Sequence, residues 1–131
     1  MKFFRSLALL LALAGLSQAA PFFSGVTTTW TTAQSLPVTV PQTCSASFFL
    51  GGPASGTWTA TITLYEVRGD GSQRQVATGT LSNSGPHLDG TGTRTWIQAD
   101  VNVHIGAYFL AAVTATTGTI PAPGLYADGL F

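Results

Sequence analysis

The stretch TRTWIQADVNVHIGAYFLAAVTAT, residues 93–116, decides how the rest of the chain is read. From Ile97 the apolar residues fall on alternate positions: Ile97, Ala99, Val101, Val103 and Ile105. Gln98, Asp100, Asn102 and His104 sit between them. A period of two is the pattern of a strand with one face in a core and the other in water. After Gly106, residues 107–113 are apolar at every position, which predicts a strand covered on both sides. Gly106 fits a tight connection within one sheet, and equally an arch that carries the chain to an opposite sheet.

Working outward, residues 57–67 repeat the alternation more cleanly. Trp58, Ala60, Ile62 and Leu64 share one face; Thr57, Thr59, Thr61, Thr63 and Tyr65 share the other. Arg68-Gly69-Asp70-Gly71-Ser72 supplies Gly and Asp, which tolerate the backbone angles of a tight turn. Residues 74–81 then return as the partner strand of a hairpin. Arg68-Gly69-Asp70 also spells a cell-adhesion tripeptide, but turn chemistry alone accounts for it. Residues 82–92 are nearly all turn formers and predict the longest loop.

Upstream, residues 21–25 read as a lead-in and 26–32 as a first strand, on β-branched content. Residues 38–40 lie between Pro37 and Pro41, which places them at a sheet edge. Residues 44–50 form a strand ending in Phe48, Phe49 and Leu50, and the Gly-rich 51–56 read as a loop. Residues 125–131 add a last short strand. Seven or eight strands, Gly/Pro turns and no helical periodicity beyond residue 19 predict an all-β chain. The expected architecture is a single antiparallel β-sandwich, jelly-roll-like or immunoglobulin-like.

Residues 1–19 have the form of a signal peptide. Lys2 and Arg5 precede an apolar run from Leu7 to Leu16, and Ser17-Gln18-Ala19 fits a small-x-small cleavage site. Cleavage after Ala19 leaves residues 20–131 as one domain, secreted, displayed at the cell surface or held in the periplasm. That remainder has three Arg, no Lys and five carboxylates, a formal charge of −2. No basic patch is available to neutralise phosphates, so nucleic acid is not an expected partner. No later apolar run is long enough for a membrane helix. Twenty Thr take the solvent-facing positions that charged residues fill in most soluble domains. Cys44 is the single cysteine. It reads as a small buried hydrophobe, with an intermolecular disulfide as the alternative.

The run Val101-Asn102-Val103-His104-Ile105-Gly106-Ala107-Tyr108-Phe109-Leu110 resembles a strand–turn–strand signature of small bacterial secreted β-sandwich domains, including carbohydrate-binding-like and pre-peptidase C-terminal modules. The strand from Trp58 to Tyr65 has a similar counterpart there. The resemblance implies a fold; it assigns no binding residue. The clustered carboxylates of calcium-bearing members are not present in this sequence.

Chemistry is sparse. Ser82, Ser84, His87 and Asp89 fall too close together on one loop to hold a nucleophile, base and orienting group in register. A carboxylate pair for glycoside hydrolysis needs a cleft that small sandwiches seldom offer. The chain is therefore expected to be no enzyme and to need no cofactor or metal. The surface to test for binding is the wet face of the 93–105 strand: Trp96, Gln98, Asp100, Asn102 and His104. An indole beside amides and a carboxylate can stack on a sugar while the polar groups take its hydroxyls. The expected role is a secreted accessory or structural surface protein, with polysaccharide or another cell-surface protein as its partner. A carbohydrate-binding module is the alternative, and a small outer-membrane β-barrel a further one.

Overall fold

The computed structural model describes residues 19–131; the signal-peptide reading of residues 1–19 falls almost wholly outside them. Eight strands follow in order: β1 (Ala19–Val26), β2 (Trp30–Thr39), β3 (Cys44–Pro53), β4 (Trp58–Val67), β5 (Gln73–Ser82), β6 (Arg94–Val103), β7 (Tyr108–Gly118) and β8 (Leu125–Leu130). They form two four-stranded antiparallel sheets, β1-β8-β3-β6 and β2-β7-β4-β5. Eight strands divided in this order make a jelly roll, which settles the alternative left open by the sequence. Two facing sheets are not one closed barrel, and the faces turned inward are the apolar ones. The outer-membrane barrel reading is thereby corrected.

The core follows from the alternation. Trp58, Ala60, Ile62 and Leu64 of β4 are buried, as their spacing requires. Opposite them, Ala46, Phe48 and Leu50 of β3 point inward. Phe22, Phe48, Phe109 and Phe131 form an aromatic cluster, the Phe22–Phe109 centroids 5.1 Å apart and the Phe48–Phe109 pair edge-to-face at 5.5 Å. The Trp58 indole is buried at the other end, and its N–H donates to the carbonyls of Pro53 and Ser55, each at 3.1 Å. The outer face of β2-β7-β4-β5 carries the threonines. Thr61 meets Thr80 at 2.9 Å and Thr63 meets Thr78 at 3.0 Å, each across β4 and β5.

Several strand boundaries differ from those expected. Residues 21–25 are not a lead-in but the body of β1, and 27–29 are the break between β1 and β2 rather than strand. Gly51, Gly52 and Pro53 continue β3 instead of forming a loop. The two glycines sit there because rings need the space. A β-carbon on Gly51 would overlap the Tyr126 ring, and one on Gly52 would stand 2.7 Å from Cη2 of Trp58.

In the 93–116 stretch the second of the two readings of Gly106 holds. β6 and β7 do not pair. Gly106, at φ +77°, lies in an arch that carries the chain from one sheet to the other. β6 is an edge strand paired with β3, whereas β7 lies between β2 and β4. An edge strand covers its inner face incompletely, so Val103 is buried while Ile97, Ala99 and Val101 are half-buried. Ile105, expected in the core, is on the arch and 66 % exposed. In β7, Phe109, Ala111 and Val113 are buried, but the outer row is open and Tyr108 is exposed. Cys44 is half-buried, packed against the core and unbridged.

Candidate functional site

Residues directly opposite one another on paired strands turn their side chains to the same face. In the outer face of β1-β8-β3-β6 this rule produces three rows. Trp96 lies opposite Gly51, and Gly51 opposite Tyr126. Gln98 lies opposite Phe49, and Phe49 opposite Asp128. Asp100 lies opposite Ser47, and Ser47 opposite Leu130. The solvent side of this sheet thus carries three aromatic rings among carboxylates and one guanidinium.

The rings border two adjoining hollows. One, of about 270 Å³, is lined by Phe49, Asp89, Arg94, Trp96, Tyr126 and Asp128. The other, of about 370 Å³, is lined by Ala20, Pro21, Phe49, Asp128, Gly129 and Leu130. Phe49 and Asp128 belong to both, so they form the ridge between them. Phe49 and Trp96 are tilted rings 6.0 Å apart. The Arg94 guanidinium lies over the Tyr126 ring at 5.0 Å, a cation–π contact that holds both side chains in place.

The 82–92 loop forms a rim rather than hanging free. Leu88 bridges to Thr95, the Trp96 N–H donates to the His87 carbonyl at 2.8 Å, and the Asp89 N–H donates to the Arg94 carbonyl at 2.8 Å. The His87 ring packs on Trp96 at 5.6 Å. Asp89 accepts from the N–H and hydroxyl of both Thr91 and Thr93. The Thr91 hydroxyl leads these donors, and against some burial they hold the Asp89 carboxyl down at about 2. Asp89 is thus committed to folding its own loop.

The three carboxylates of this face differ in what they have left to offer. Asp89 is saturated by Thr91 and Thr93. Asp100 accepts from the Ser47 hydroxyl at 2.6 Å and from Gln98 at 3.0 Å, which lowers its pKa. Asp128 receives no hydrogen bond from any described side chain or loop N–H. It is half-buried, and burial raises its pKa although Arg94 pulls the other way. Burial likewise raises Tyr126, against the pull of Arg94.

Of the five residues read from the sequence, Trp96, Gln98, Asp100 and Asn102 do share the outer face of β6. His104 lies past the end of β6 and turns elsewhere. Its ring Nδ1 is 3.1 Å from Oε1 of Glu66, and its backbone N–H donates to the same oxygen at 2.7 Å. Glu66 is 0 % exposed and also accepts from Nε and Nη2 of Arg74 at 3.1 and 2.7 Å. Arg74 in turn donates to the Asn102 carbonyl. This is a polar clamp at the end of the sandwich, joining β4, β5 and the β6–β7 arch.

Sequence reasoning missed Phe49, Tyr126, Asp128 and Arg94. A signal was present for the first three: Ser45, Ser47 and Phe49 alternate with buried Ala46, Phe48 and Leu50, and Tyr126 and Asp128 alternate with Leu125 and Ala127. Among the described residues no group of three or more His, Cys, Asp or Glu is placed to hold a metal ion.

No family model matches the chain, and no curated protein does. Among solved structures it is similar to a protein from Sulfurospirillum deleyianum, at 10 % identity and TM-score 0.35. That match covers 88 % of this chain and 96 % of the other. It is also similar to a chain in the structure of the infectious bursal disease virus Gt strain, at 15 % identity and TM-score 0.33. There the match covers 87 % of this chain but 28 % of the viral one. These are distant likenesses between β-sandwiches and identify no particular protein; neither bears on function.

Proposed function

We propose that this chain is an exported, non-catalytic accessory protein that binds carbohydrate on the outer face of β1-β8-β3-β6. The observation that carries the reading is the placement of Phe49, Trp96 and Tyr126 on the solvent side of one sheet, around two adjoining hollows. The outer face of the opposite sheet carries rows of Thr along β4 and β5, with Tyr65, Tyr108 and Leu110 beside them. Aromatic side chains bury large areas and have a flat apolar face, which matches the C–H face of a pyranose. Polar groups around them are suited to the hydroxyls. Export is supported by the form of residues 1–19 and by the substitution of Thr for charge across the surface.

The test is native affinity electrophoresis of the 20–131 protein through gels containing soluble polysaccharides, with intrinsic Trp fluorescence in parallel. Retardation by at least one polysaccharide, abolished in Trp96→Ala with the melting temperature preserved, is the expected result. A wild type that no polysaccharide retards would sink the proposal. Half-burial of Cys44 favours a monomer on a non-reducing gel.

A further inference from the structure

Resting on the carbohydrate reading, we infer that Asp128 is the residue that selects the ligand. The ligand is an uncharged glycan of at least two sugar rings, laid across the Phe49 ridge with a pair of vicinal hydroxyls donating to Asp128.

Three features lead there. First, the ridge is shared. Phe49 and Asp128 line both hollows, so an occupant filling either one meets the same ring and the same carboxylate. A single ring engages one hollow; two linked rings engage both and close over the ridge between them. Second, acceptor capacity is concentrated. Asp89 and Asp100 have their oxygens taken by Thr91, Thr93, Ser47 and Gln98. The Asp128 oxygens take no such donor, and a carboxylate with two free oxygens is geometrically suited to two adjacent hydroxyls. Third, the charge balance disfavours acids. Across this face Asp89, Asp100 and Asp128 stand against the Arg94 guanidinium, already stacked on Tyr126, and the α-amino group that Ala20 carries in the 20–131 protein, so carboxylates remain in excess. A uronate or sulfate entering here would meet an excess of negative charge. A neutral polyol meets an unsatisfied acceptor instead, and a partly buried acceptor left unpaired is costly.

The experiment is calorimetric titration of wild type, Asp128→Asn and Asp128→Ser. The probes are cello-, malto-, xylo- and chito-oligosaccharides of one to six units, with oligogalacturonate as the acidic one. The position is on the outer face, and melting curves of both variants are expected to match wild type. The expected result has four parts. At least one neutral series binds. Its disaccharide binds at least tenfold tighter than its monosaccharide. Both variants lose at least tenfold in affinity for the disaccharide, and oligogalacturonate is not bound. Wild-type binding that both variants retain would overturn the role of Asp128 while leaving the carbohydrate reading intact. Equal affinity for mono- and disaccharide, or binding of oligogalacturonate alone, would overturn the ligand class in the same way. Absence of binding by every probe would remove both.

Discussion

The phenol ring of Tyr126 occupies the space that a side chain at Gly51 would need. The glycine is therefore part of the aromatic face although it contributes no atoms to it. Between Trp96 on one neighbouring strand and Tyr126 on the other, it leaves a floor low enough for the ring to lie across.

Gly51→Ala is the first prediction. The obstructing atoms are at the far end of the tyrosine, which can swing outward, so the fold is expected to survive with a loss of about 1 kcal/mol. The Arg94–Tyr126 stack is not expected to survive. Glycan affinity should fall at least tenfold while the melting temperature moves by only about 5 °C. Unchanged affinity would show that Tyr126 is not part of the site.

Gly118→Ala makes the opposite prediction. Gly118 has φ +68°, and its added β-carbon would run into the Thr57 carbonyl, a backbone atom that cannot rotate away. Strain and overlap together should cost about 3 kcal/mol. Thermal melting should fall by about 10 °C or more, with the ligand-binding face untouched in whatever fraction remains folded.

The Glu66 clamp predicts a pH dependence. Burial alone would raise the Glu66 pKa; the His104 backbone N–H, then Arg74 and the His104 ring, outweigh it, and the net shift is downward from 4.5. A depressed folded-state value means the stabilisation is complete above 4.5 and is lost as pH falls through the lower folded value. Glu66→Gln should destabilise the protein by about 2 kcal/mol at pH 7. It should also flatten the acid limb of a stability–pH curve measured by urea unfolding. An acid limb identical to wild type would mean other carboxylates govern it.

Asp89→Ala should loosen the rim without unfolding the sandwich. Its carboxylate anchors the Thr91 and Thr93 N–H groups. Their amide exchange should accelerate at least tenfold in the variant, while exchange in β4 stays as in wild type. Equal protection of Thr91 and Thr93 in both proteins would refute the anchoring role.

Much of the fold is legible in the sequence where one face of a strand is fully buried. Trp58, Ala60, Ile62 and Leu64 announce β4, and Gly and Asp announce the turn after it. Alternation says nothing about which strand pairs with which. That is why 93–116 reads as two strands without showing that they belong to different sheets. β1 escaped notice because its pairing with β8 shifts register after Pro21 and again after Phe23, breaking the period. Gly51 and Gly52 look like a loop because the rings that fill their space, Tyr126 and Trp58, come from elsewhere in the chain. The aromatic face was legible only as far as one strand could carry it. Trp96 declares itself by alternation within β6, whereas Phe49 and Tyr126 reach its side through β3 and β8.

The arch at Gly106 has a kinetic consequence. Because it sends β6 and β7 to different sheets, β4–β5 is the single pairing between consecutive strands among those described. The other five close across longer spans of chain, and β1–β8 joins the two ends of the described chain. Each such closure must be met in chain entropy before its contacts form, so a topology dominated by them folds in milliseconds to seconds rather than microseconds. The β4–β5 hairpin has the shortest loop to close, and the β1–β8 pairing the longest.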